Sequence, residues 1–140
     1  YDIRSFKVAK FSKGCAGNDI NGIGCVYQLP SYSPIKAGTE DMKKYDPKYD
    51  AVGYTDDNYW AGAKKACDDI GMSLPDKSKL ESLAKKTRKE KKQLGLPTDY
   101  WFFSSSEDGA RYAYYVSFFS GRTDGSYKDD STPKVLCVGD

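Results

Sequence analysis

The chain has 140 residues, 22 basic and 20 acidic side chains, a net charge of +2 and a hydrophobic fraction of 39%. That length suits one domain able to bury roughly 70% of its unfolded surface without help from a metal. Near-balanced charge gives no reason to expect nucleic acid or a membrane surface as partner, and no apolar run approaches the ~18 residues of a membrane span. There is no His, which removes the commonest general base and a common zinc ligand. No signal peptide is visible, and a start at Tyr1 without Met suggests a trimmed or processed product.

In chain order, Phe6 and Val8 alternate weakly with Lys7, as in a short strand or a helix end. Gly14–Gly24 reads as a loop with a turn at Asn21-Gly22, and Cys25–Leu29 reads as a strand ended by Pro30. Residues 31–57, with Pro34 and Pro47, read as a long irregular connection holding one helical turn near Glu40–Lys44. Asn58–Ile70 is a helix: Trp60, Ala63, Cys67 and Ile70 share a face, Asp57 or Asn58 can cap the start, and Gly71 can end it. A second helix follows, with Asp76 as N-cap and Leu80, Leu83 and Thr87 on one face. Lys85–Lys92 holds six basic residues in eight; it reads as the solvated tail of that helix, where cations suit the dipole. A nucleic-acid patch is the other reading, without the interleaved aromatics it would want. After Gly95-Leu96-Pro97 the chain turns β-prone at Tyr100–Phe103, Tyr114–Phe119 and Val135–Val138. Strands, two helices, then strands make an α+β domain.

Four cysteines without CxxC spacing point to two disulfides and an oxidising compartment. The expected pairs are Cys15–Cys25, stapling the Gly-rich loop, and Cys67–Cys137, tying the mid-chain helix to the last strand. Four reduced, buried thiols are the alternative.

Trp60-x-x-Ala63-x-x-x-Cys67, Gly71-x-x-Leu74-Pro75, Leu80-x-x-Leu83, Trp101 with Ser104-Ser-Ser-Glu107, Ala113-Tyr-Tyr-Val116, Gly121 and Leu136-Cys137-Val138 occur in that order. The set resembles a C-type lectin-like domain over residues 54–140, similar to bacterial Lcl-type domains and to the variable proteins of diversity-generating retroelements. The resemblance implies two helices, small antiparallel sheets and a long loop region displayed on one side. It also implies a disulfide between the helix cysteine and the final-strand cysteine. Residues 1–53 would form an N-terminal segment, with its own disulfide loop, packed on the same domain. Such domains also occur as heads of pilin-like and pseudopilin-like proteins, which makes a structural filament subunit the alternative to a binding role.

Residues 108–133 carry the functional expectation. Alternation puts Tyr114, Val116 and Phe118 on one side and Tyr115, Ser117 and Phe119 on the other; the resemblance implies that the first set, with Ala113, faces inward and the second outward. Residues 108–127 are rich in Tyr, Ser and Gly with two Arg, a paratope-like mixture, and lack Lys, Glu, Gln, Met and Trp. Those five are the types that codons ending in a pyrimidine cannot encode, as a segment diversified at AAY codons would show. Arg111, Tyr112, Tyr115, Ser117, Phe119, Arg122, Asp124, Tyr127 and Asp129 are therefore the candidate ligand contacts, with Trp101 and Glu107 as framework. The expected ligand is a protein, with glycan as the other class. Asp129-Asp130-Ser131 and Asp56-Asp57 raise calcium, but the Glu-Pro-Asn, Gln-Pro-Asp and Trp-Asn-Asp motifs of sugar-binding C-type lectins are missing. No metal, cofactor or enzymatic activity is expected. The reading is a secreted or surface-displayed binding domain.

Overall fold

The computed structural model describes residue 15 and residues 17–139; the Phe6/Val8 alternation lies outside them. Two three-stranded antiparallel sheets and five helices make up the described residues. The first sheet has the order β1 (Asn18–Ile20), β2 (Gly24–Gln28), β6 (Leu136–Gly139), so an early hairpin pairs with the last strand. The second is β3 (Trp101–Glu107), β4 (Tyr112–Ser117), β5 (Thr123–Tyr127). Between them run α1 (Glu40–Tyr45), α2 (Pro47–Val52), α3 (Tyr59–Asp69), α4 (Lys77–Ala84) and α5 (Arg88–Gln93).

The two longer helices start where their caps dictate. Asn58 accepts from the Ala61 amide and Asp76 from the Lys79 amide, each satisfying one orphan donor of a first turn. Gly71, at φ 75°, follows the end of α3. Sequence and structure part in three places. The glycine-rich loop contains β1, with Asn21-Gly22 as its hairpin turn and the Ile23 amide donating to the Ile20 carbonyl at 3.0 Å. The 31–57 connection holds two helices, since Thr39 and Asp46 act as N-caps and Pro47 sits in the first turn of α2, where its missing N–H costs nothing. Lys85–Lys92 is not the tail of α4. That helix stops at Ala84, and Thr87 opens α5 through a capping box with Glu90. Thr87 thus caps a new helix and does not share the α4 face.

The second sheet is a middle layer. On one face Phe102 and Val116 pack with Leu80 and Leu83 of α4, with Phe118, and with Leu136 and Val138 of β6. On the other, Phe103 and Ala113 pack with Trp60, Ala63 and Cys67 of α3 and with Cys137. A third cluster seats Met42, Tyr45 and Tyr49 of α1 and α2 against Ile35 and Ala61. Disulfides join Cys15 to Cys25 and Cys67 to Cys137, the latter pinning α3 to β6. No helix of the described residues is long and apolar enough to cross a membrane.

Candidate ligand-binding faces

The register of β4 against β5 sets which side chains meet. Tyr112 lies opposite Tyr127, Ala113 opposite Ser126, and Tyr115 opposite Asp124. With a side-chain period of two, Tyr112 and Tyr127 belong to one face of the sheet, and Tyr115 and Asp124 to the other. The nine candidate residues therefore do not share one surface.

The first group centres on Tyr115. Its ring stacks on Trp101 with centroids 4.8 Å apart. Partial burial raises the Tyr115 phenol above its usual range, the Asp124 carboxylate adds to this, and Arg122 opposes it. Trp101 is 41% exposed, so it is part of this surface as well as of the strand.

The second group centres on the Tyr112–Tyr127 ring pair, with centroids 4.8 Å apart and exposures of 40% and 48%. A hydrogen bond with Tyr127 raises the Tyr112 phenol. The Arg111 guanidinium sits 5.1 Å from the Tyr127 ring and 5.1 Å from that of Tyr54. It also bridges to Asp129 at 3.3 Å and Asp56 at 3.5 Å. The hydrogen bond that Arg111 donates to Asp129, more than any other contact, holds Arg111 firmly charged. A planar cation between two rings and two carboxylates is a rigid, partly desolvated arrangement.

Phe119 stands apart from both, in the β4–β5 turn, and is 72% exposed. It borders a groove of about 500 Å³ whose other wall carries Lys85, Lys86 and Arg88. Ser117 is a correction. It was expected to face outward, but it is buried, and its Oγ accepts from the Phe119 and Ser120 amides at 3.2 Å each. The strand ends there, and the hydroxyl satisfies the turn that follows. The inward set is corrected too: Ala113, Val116 and Phe118 are buried, whereas Tyr114 is half-exposed and carries the Lys77 ammonium 4.1 Å above its ring.

Tyr54 and Asp56 were missed as neighbours of Arg111. They lie 57 and 55 positions away in the chain, and nothing local marks them. Among the described residues no three or more His, Cys, Asp or Glu converge as metal ligands would; Asp56 and Asp129 both face Arg111. The Ser104 hydroxyl donates to the Tyr114 carbonyl at 3.0 Å, tying β3 to β4.

Residues 50–139 match the model of a family described as Domain of unknown function (DUF8780). The chain belongs to that family. The matched stretch runs from within α2 to the end of β6 and includes all nine candidate residues. No curated protein and no solved structure matches the chain.

Proposed function

We propose that this domain binds a protein partner through the exposed rings of its second sheet, from a secreted or surface-displayed position. The observation that carries this reading is that three exposed aromatics of this sheet, Trp101, Tyr112 and Tyr127, are already held in ring pairs. Trp101 is fixed against Tyr115, and Tyr112 against Tyr127 with Arg111 alongside. Tyr and Trp supply large contact area at small entropic cost, and rings that are fixed beforehand lose less on binding. Asp124, Arg122 and Asp129 add polar rims of both signs. The disulfide from α3 to β6, the consecutive helices α3 and α4 and the late three-stranded sheet support a C-type lectin-like fold. The two disulfides support an oxidising compartment. The absence of Lys, Glu, Gln, Met and Trp from residues 108–127 supports diversification of that segment.

The reading makes Tyr112, Tyr115, Arg122, Asp124 and Tyr127 replaceable without loss of fold. A yeast-displayed library randomised at those five positions, sorted against hen lysozyme, tests it. Binders should emerge, and most library members should keep native-like resistance to protease. A library that loses protease resistance, or that yields no binder where an established scaffold does, would sink the proposal.

A further inference from the structure

The interior between the α1–α2 junction, the start of α3 and the end of β5 holds charged groups that ligand binding does not use. Lys128, which follows β5, and Asp46, between α1 and α2, are both fully buried. The Lys128 Nζ lies 3.0 Å from Oδ2 of Asp46 and 3.3 Å from Oδ1. A second carboxylate, Glu107 at the end of β3, places Oε1 3.7 Å from the same nitrogen. That oxygen is buried and accepts no hydrogen bond, its other charged neighbour being Lys48 at 3.5 Å. The Trp60 ring covers the amine with its centroid 4.4 Å away. Asn58 Nδ2 donates to Asp46 Oδ2 at 2.9 Å, and the Tyr49 amide donates to Oδ1 at 3.3 Å.

As a plain ion pair this is poorly rewarded. Taking both charges out of water costs several kcal/mol, and Coulomb attraction commonly does no more than offset that. As a reaction site it is well arranged. The amine sits against both carboxyl oxygens, at 3.0 and 3.3 Å, which places it beside the carbon they share. A second acid with a vacant lone pair is beside it, and an aromatic ring helps to exclude water.

We propose that Lys128 and Asp46 condense into an intramolecular isopeptide bond, with Glu107 carrying the protons. One proton passes from Nζ to the Asp46 carboxylate, giving an amine and a carboxylic acid. The amine lone pair attacks Cγ, the N–C bond forms, and the oxyanion forms on the oxygen that Asn58 Nδ2 contacts. Glu107 takes the excess proton from nitrogen and returns it to the other oxygen. The C–O bond breaks, one water leaves, and an amide joins residues 46 and 128. No oxidant, metal or nucleotide enters the balance. Lys64 is the other amine near Trp60, at 4.4 Å, but its Nζ donates to the Tyr45 carbonyl at 2.8 Å and is held away from the reaction. The inference stands independently of the ligand-binding reading.

Intact-mass spectrometry of the full chain, purified with its disulfides formed, tests the proposal. The expected mass is one water below that of the disulfide-bonded sequence, and tandem spectra should show a branched peptide joining Asp46 to Lys128. Glu107→Gln should retain the water, with near-ultraviolet circular dichroism confirming its fold. A wild-type mass that retains the water, or a branch mapped to Lys64, overturns the proposal whatever the variants do. Full loss of water in E107Q overturns the role given to Glu107.

Discussion

Tyr115 and Phe119 lie four positions apart and were read alike from the sequence, yet the structure gives them different weights. Phe119 stands free on a turn, so Phe119→Ser should move the melting temperature by no more than about one degree, as surface changes do. Tyr115→Ser removes the stack on Trp101 and part of its buried area, and should cost about 1–2 kcal/mol in urea unfolding. Equal effects of the two substitutions would contradict the placement of both rings. Phe119 is exposed, as expected, but because it lies in the turn after β4 and not because strand alternation reaches it. Ser117 was not legible, because a period of two says nothing about where a strand stops, and the residue that closes β4 spends its hydroxyl on the turn. The phenols of Tyr49 and Tyr45 give a test by pH. Burial, then Asp129 and Asp56, pushes Tyr49 up to about 12. The Asp68 carboxylate, accepting from the Tyr45 hydroxyl at 2.6 Å, is the main reason that phenol is also pushed up to about 12. In the unfolded chain both ionise at their ordinary value of 10.0. Between these values the folded state holds more protons, so the stability present below pH 10 drains away as pH rises toward 12. Urea midpoints at about pH 9 and about pH 11 should show this fall, and Tyr49→Phe should flatten it.

At the level of elements, α3 and α4 were legible because each combines a cap residue with an apolar face. Asn58 precedes Trp60, Ala63 and Cys67, and Asp76 precedes Leu80 and Leu83. Helix α1 (Glu40–Tyr45) falls where one helical turn was read at Glu40–Lys44; α2 and α5, of six residues each, are too short for a period to show, and β1 begins with Asn and Asp, which disfavour strands. Close approach of backbones was likewise invisible. A Cβ at Gly62 of α3 would lie 2.0 Å from the Ser33 carbonyl oxygen. Gly62→Ala should therefore force α3 off that segment at a cost of ~2–3 kcal/mol, read as a fall in calorimetric melting temperature. By contrast, Thr87→Ala removes only the capping box of α5 and should cost ~1 kcal/mol. It should also loosen Lys91, which is buried with its Nζ donating to the Phe118 carbonyl at 2.6 Å.

For the molecule as a whole, cysteine spacing carried the most information, because an even number of cysteines on a buried face and a last strand leaves few pairings. The Cys67–Cys137 bond spans 70 residues and Cys15–Cys25 spans 10. In the chain-entropy account, deleting the longer link should cost ~4 kcal/mol and the shorter ~3 kcal/mol. Guanidinium unfolding of Cys67→Ala/Cys137→Ala against Cys15→Ala/Cys25→Ala checks that order. What no local pattern could supply was the company kept across long separations, such as Arg111 with Tyr54 and Asp56, or Lys128 with Asp46. These depend on how the layers close, and they decide which surfaces exist. The pleat of β4 in particular aims Tyr112 one way and Tyr115 the other. Two separate guests could thus be gripped back to back across a single ribbon of backbone, and the domain would then serve as a coupling between bodies and not merely as a plug on one of them.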